Sequence, residues 1–155
     1  MDVNNITNNR KLEKLWYGFK QRGNNLRKFQ KDEFIKWYNT KVDEGCRYCG
    51  ISEKNCRELV LKLPSSRFPK SLKLQRGKSR GYYLEVDRKE PKGDYSIDNC
   101  VLSCYFCNND KSDVFNHDQY MELLHGDNWE TMTNEVKKDN RRNQYLMKLL
   151  ELLSK

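Results

Sequence analysis

Four of the six cysteines in this sequence form two Cys-x-x-Cys pairs, Cys46-Arg-Tyr-Cys49 and Cys104-Tyr-Phe-Cys107. A pair at that spacing turns two thiolates toward one ion, and two pairs complete the closed tetrahedral Cys₄ shell of a structural Zn²⁺. One pair alone would say little. Two pairs in a small chain point to a single shared zinc. Fifty-four residues lie between Cys49 and Cys104, far more than in a simple zinc ribbon, so the ion would staple the base of a long excursion. Cys56 and Cys100 are left over and are not assigned to metal. Cys100 falls in a strand region and reads as a small buried hydrophobe. The rival chemistry for such pairs is thioredoxin-like redox exchange. It is disfavoured because both pairs carry aromatics in a basic, irregular context with no βαβ pattern around them.

These residues need elements to hold them. Leu12, Leu15, Trp16 and Phe19 recur at helical spacing between Arg10 and Arg22, and Gly23 is a plausible stop. A second short helix fits Lys31 to about Lys41, with Phe34, Trp37 and Tyr38 on one face. These aromatics read as core rather than as base-stacking platforms. Residues 57–80 carry eight basic side chains against the single acid Glu58. Pro64, Pro69 and Gly77 argue against a long helix there, so a strand piece and an extended arm are expected. Tyr82 to Val86 is read as the first strand. Pro91 and Gly93 mark the turn region, and Val101-Leu102 begins the second strand. A helix should follow from about Tyr105 to Ser112, and Asp118 can cap another that ends at Gly126. A last helix over about Met132–Leu153 carries Val136, Tyr145, Leu146, Leu149, Leu150, Leu152 and Leu153, packed on the domain or forming a dimer contact. The chain is read as one domain without internal repeats: N-terminal helices over 10–41, a core over 45–115 and C-terminal helices over 118–154.

The net charge is +8, and hydrophobic residues make up only 36 % of the 155. A core this lean gains from a structural metal, and a chain this basic attracts polyanions, nucleic acid first among them. The 57–80 arm holds nearly all of that charge, and Arg67, Lys70, Lys73, Arg76, Lys78 and Arg80 are expected to track phosphates. The sequence has neither the apolar run of about 20 residues that a membrane span needs nor an apolar signal-peptide core. A cytoplasmic, reducing location is therefore expected, where cysteines bind metal before they form disulfides.

Between the pairs runs LEVDRKEPKGDYSIDNCVLSCYFCNNDKSD. This stretch resembles the HNH (ββα-metal) endonucleases, in the zinc-containing branch framed by CxYCG and CxxCN. The match passes through Asp87 in VDR, Asn99 in SIDNCVL, and Asn108 with Lys111 in CNNDKSD. It covers about residues 34–115, including the Phe34–Tyr38 segment and Arg80–Tyr82. The resemblance implies an α+β fold: a small ββα-metal (His-Me finger) core stapled by zinc, with flanking helices. It implies metal-dependent hydrolysis of phosphodiester bonds in DNA, site-specific as in restriction or mobile-element enzymes. It also implies a catalytic Mg²⁺ (or Mn²⁺) held by Asp87 and Asn108, with Asn99 pinning the loop between the strands. The chemistry agrees: phosphodiester cleavage needs a cation to offset growing charge, and Mg²⁺ takes few protein ligands and keeps positions for water and phosphate oxygens.

One position departs from the family pattern. The general-base histidine expected after Asp87 is Arg88. Arginine cannot accept a proton, though it can hold the scissile phosphate bidentately. Either another group is the base or catalysis is lost. The branch that shares this arginine implies a tyrosine, here Tyr48 first, with Tyr82 and Tyr83 behind it. A tyrosine in that role needs a cation such as Arg88 or the metal beside it to lower its pKa. The two histidines, His117 and His125, read as surface or helix-end residues, with His117 a second candidate base. Two alternatives stay open. One is a non-catalytic zinc-stabilised module that binds nucleic acid. The other is an interaction domain built on the C-terminal leucines, compatible with a homodimer whose two sites would match palindromic DNA.

Overall fold

Phe34, Trp37 and Tyr38 are all buried, and they draw one face of α2 (Lys31–Lys41) into the core. The Glu33 carboxylate accepts the Gln30 backbone N–H at 3.3 Å and so closes the first turn. This is a computed structural model, and it describes residues 11–17, 30–62, 80–126, 141–152 and 154. Residues 11–17 form α1, whose Leu12 is fully buried. After α2 a 3₁₀ turn over Val42–Glu44 delivers the chain to the first cysteine pair. There Gly45 adopts φ +73° and a Cβ would stand 2.8 Å from the Gly50 carbonyl oxygen, so only glycine fits.

The expected strand piece beginning at Arg57 is helix instead: α3 spans Glu53–Lys62. Cys56 and Leu59 sit three residues apart on its buried side, and the Ser52 hydroxyl accepts the Asn55 N–H at 3.2 Å at its start. Helical period and an N-cap thus outweigh the downstream prolines, which act only beyond Lys62. The rest of the arm, including Arg67, Lys70, Lys73, Arg76 and Lys78, lies outside the described residues.

The first strand also starts later than expected. β1 is Glu85–Arg88, and it pairs antiparallel with β2, Cys100–Ser103, in the register Glu85↔Ser103, Val86↔Leu102, Asp87↔Val101 and Arg88↔Cys100. Residues 80–84 stay irregular because Gly81, at φ +82°, packs its bare Cα against Val60 and Tyr105. The two-stranded sheet leads straight into α4, Tyr105–Lys111, giving the ββα order. α5 follows over His117–His125, capped by Asn116 and not by Asp118. Asn116 and Gln119 exchange side-chain and backbone hydrogen bonds in a capping box. α6, Arg141–Leu152, buries Asn143, Leu146 and Leu150 and packs on α3. It leaves Tyr145 and Leu152 exposed, so part of the C-terminal leucine surface is core. None of the helices among the described residues is long and apolar enough to cross a membrane.

A polar hub ties the N-terminal helices to the strand. The Glu53 carboxylate receives the Tyr38 hydroxyl at 2.6 Å, the Leu84 N–H at 3.1 Å and the Lys11 ammonium at 2.9 Å. The aromatic face of α2 is therefore structural, as its spacing suggested.

Candidate metal centre and catalytic face

Cys46, Cys49, Cys104 and Cys107 converge, with all four sulfurs within 4.8 Å of one another and all four residues buried. The Cys49 and Cys104 sulfurs are 3.8 Å apart, which is about the edge of a tetrahedron with Zn–S bonds near 2.3 Å. Backbone geometry presents them. The Cys46 N–H bonds the Ile51 carbonyl at 2.9 Å, and the Gly50 N–H returns to the Cys46 carbonyl at 2.8 Å. The Arg47 N–H reaches the Leu102 carbonyl on β2 at 2.8 Å, docking the first knuckle on the sheet. On the second knuckle the Cys104 sulfur caps α4 by accepting the Cys107 N–H at 3.4 Å. Hydrogen bonding to Cys104 pushes the Cys49 thiol well above its ordinary value, and burial does the same to Cys107. A dication is the partner that lets such crowded thiols ionise together. The donor set fits structural zinc. Cys56 and Cys100 are both buried outside this cluster, the Cys56 thiol meeting the Gly81 carbonyl at 3.6 Å.

Above this base lies a polar face between β1 and α4. Asp87, only 7 % exposed, receives the Tyr48 hydroxyl on Oδ2 at 2.5 Å. The Lys111 ammonium stands 3.4 Å from Oδ1 and 3.3 Å from Oδ2, and also donates to the Arg88 carbonyl at 2.9 Å. Burial pushes the Asp87 carboxyl above its ordinary value, opposed by the Tyr48 hydrogen bond and the Lys111 charge. Two residues earlier on the same strand face, Glu85 accepts Arg80 Nε at 2.8 Å on Oε1, and Arg80 Nη2 on Oε2. Glu85 Oε2 also accepts Asn108 Nδ2 at 2.5 Å. The structure thus brings Asp87 and Asn108 to one face, each held by a different neighbour.

Glu85 was not among the residues singled out from the sequence. The signal was present: in LEVDR it stands two residues before Asp87, and strand alternation puts the pair on one side. Arg80, expected to touch DNA, is committed to Glu85 and lies over the Tyr105 ring at 5.3 Å.

Tyr48 is fully buried, edge-on to Tyr120 at 4.9 Å and tilted against His117 at 5.5 Å. Among the described residues it is the tyrosine hydrogen-bonded to Asp87, whereas Tyr83 lies under the Lys11 ammonium at 3.6 Å. Its hydroxyl pKa is pushed upward, first by burial and then by the Asp87 charge. The cation expected to lower it is not Arg88. That guanidinium donates to the Gly93 carbonyl at 3.3 Å and to Asp113 at 3.2 Å, and stands 4.8 Å over the Tyr95 ring. Alternation along β1 sends it to the side opposite Asp87.

Asn99 pins the loop. Its Oδ1 accepts the Glu90 N–H at 2.8 Å, and its Nδ2 donates to the Glu90 carbonyl at 3.1 Å and the Asp94 carbonyl at 2.8 Å. His117 and His125 do sit at the two ends of α5, but neither is a loose surface group. His117 is buried, with its pKa pushed down to about 4 by burial and by the positive charge of Arg47. His125 Nε2 meets the Tyr48 carbonyl at 2.7 Å.

No family model matches this chain, and none of the curated proteins does. A solved structure is similar to it, that of "the rare-cutting HNH restriction endonuclease PacI", at 29 % identity and a TM-score of 0.49. The likeness covers 79 % of this chain and 73 % of that one.

Proposed function

We propose that this chain is a metal-dependent endonuclease that hydrolyses phosphodiester bonds in double-stranded DNA at specific sites. The observation that carries the reading is the Asp87 carboxylate. It is buried beside a phenol and an ammonium on the strand that faces α4, over a four-cysteine base. An ion-binding carboxylate with a proton-bearing neighbour and a rigid support is what phosphate hydrolysis requires.

The donors fit a hard dication. Asp87 offers carboxylate oxygens, and Asn108, whose nitrogen goes to Glu85, keeps its amide oxygen. Mg²⁺ or Mn²⁺ held there would offset charge on the phosphate and the leaving oxygen. The Tyr48 hydroxyl, while it donates to Asp87, could only orient the attacking water; it could take the water's proton only as the phenolate. Removal of its own proton is opposed while Asp87 stays uncompensated, so cation binding at Asp87 is what would bring Tyr48 into the basic range. To grip the scissile phosphate, the Arg88 side chain would have to swing from Asp113 round the end of β1 toward Asp87. The Asp113 that it now meets is 83 % exposed on its side chain, and so exposed an ion pair exchanges readily for a phosphate. The arm residues Arg67, Lys70, Lys73, Arg76 and Lys78 would track flanking phosphates. The same reading places the chain in a reducing cytoplasm, and a second copy would supply the second strand cut.

The test is incubation of zinc-loaded protein with phage or plasmid DNA and Mg²⁺ or Mn²⁺. Discrete fragments establish a site-specific enzyme, and smearing establishes a nonspecific one. DNA binding that persists with no cleavage under any divalent ion returns the chain to the zinc-stabilised binding module.

A further inference from the structure

A cation at Asp87 and Asn108 needs the oxygen end of the Asn108 amide, and nothing in the shape of a carboxamide selects that end. Its O and N are nearly equal in size, so packing alone leaves the group free to turn over. Glu85 makes the selection. An ionised carboxylate only accepts hydrogen bonds, so the group 2.5 Å from Glu85 Oε2 has to be Asn108 Nδ2. The amide oxygen is thereby turned the other way.

Glu85 can enforce this because it is itself fixed. Arg80 grips both of its oxygens, and the two side chains are 18 % and 14 % exposed. Such a planar fork is geometrically restrictive. Arg80 is held in turn by the Tyr105 ring at 5.3 Å and by Asn109 Oδ1 at 3.4 Å. Arg80 and Asn108 together place three N–H donors on Glu85, so its carboxylate is engaged in the brace. Asn108 meets Glu85 on the β1 face that also carries Asp87. Asp87 follows Glu85 by two residues on β1, and Lys111, one helical turn beyond Asn108, reaches the Asp87 carboxylate.

We propose that Glu85, braced by Arg80, is a positioning residue that locks the Asn108 amide oxygen toward Asp87 and so completes a two-oxygen cation seat. This rests on the nuclease reading, in which Asp87 and Asn108 hold the catalytic ion.

The experiment measures Mn²⁺ affinity of the zinc-loaded full chain by calorimetry, with cleavage rate, zinc content and circular dichroism alongside. Glu85→Gln keeps the shape but supplies an amide that can present either end, so the lock is lost. The expected result is about a tenfold weaker Mn²⁺ affinity at unchanged zinc content, equivalent to about 1.4 kcal/mol. Adding Asn108→Asp to Glu85→Gln should restore affinity to within about twofold of the parent, because an aspartate has an oxygen at both ends and needs no orientation. A role confined to folding would not be rescued in this way. Unchanged affinity in Glu85→Gln, or no recovery in the double variant, overturns the proposal and leaves the nuclease reading intact. Should Glu85→Gln fail to fold, Arg80→Gln carries the same expectations, since it frees Glu85 to turn. Parent protein that binds no Mn²⁺, or binds it equally well as Asp87→Asn, overturns both.

Discussion

A four-cysteine cluster and the proposed oxygen seat, opposite in character, share one short helix. Cys104 and Cys107 at the start of α4 join Cys46 and Cys49 in a fully buried, all-sulfur cluster. Asn108 and Lys111, on the turn that follows, contact Glu85 and Asp87 directly through oxygen and nitrogen atoms. The sulfur seat has every position taken by protein, which is the mark of a scaffold ion. The proposed oxygen seat would use few protein ligands, as a catalytic ion that also takes water and phosphate requires. The comparison teaches that α4 is a coupling device: whatever fixes its N-terminus against the first knuckle also fixes the distance from Asn108 to β1.

The sharpest way to break this division is to attack the sulfur seat. Cys104→Ser, or exhaustive zinc chelation, should unfold the chain cooperatively. Structural zinc contributes about 10–16 kcal/mol in small metal-folded domains, comparable to or larger than the whole stability of an ordinary domain, about 5–15 kcal/mol. Circular dichroism with metal analysis reads the result. Retention of full helix content without zinc would show that the scaffold does not need the ion.

Attack on the oxygen seat should spare the fold. Asp87→Asn keeps a partner for the Tyr48 hydroxyl but removes the charge that a dication needs. Cleavage is expected to fall by about 10³-fold, the scale of losing a main electrostatic group, with zinc content unchanged. Single-turnover cleavage of a plasmid measures it. A smaller loss, about 10²-fold, is expected for Tyr48→Phe if Tyr48 handles the proton. Its stability cost would be about 1 kcal/mol for the lost hydrogen bond. Full activity in Tyr48→Phe would pass the role to another group and leave the Asp87 seat untouched.

The two seats were not equally legible in the sequence. The sulfur seat could be read directly, because Cys-x-x-Cys spacing constrains geometry locally and pairs of such knuckles have few other uses. Asp87, Asn99 and Asn108 were found through a family pattern, and their setting was not. Arg88 and Asp87 are neighbours in sequence, yet the strand pleat sends them to opposite sides. A cation adjacent in the chain is therefore not the one adjacent in space; Lys111, 24 residues away, is the one that reaches Asp87. Glu85 was overlooked because a charged residue in a short strand usually faces solvent. Its burial depends on Arg80, and no local rule pairs a residue before a glycine turn with one inside the strand. The α3 helix was misread because prolines just beyond it suppressed a sound helical period inside it.

The smallest predicted effect concerns the boundary between the seats, where His117 packs on the Tyr48 ring. Its folded pKa is about 4, against 6.5 for the unfolded residue. Between those values the unfolded chain binds the proton and the folded chain refuses it, so stability rises with pH across the window and falls on acidification. Below about pH 4 both forms are protonated and this contribution stops changing. Its full size is on the order of 2–3 kcal/mol. Acid also loosens zinc thiolates, so the measurement is a difference: urea unfolding of the parent and of His117→Gln at pH 7, 6, 5 and 4.5. The parent should lose more stability on acidification than the variant, with the gap opening below pH 6.5. Parallel curves would mean that the imidazole takes up a proton within the fold, and that the wall behind Tyr48 is open to water.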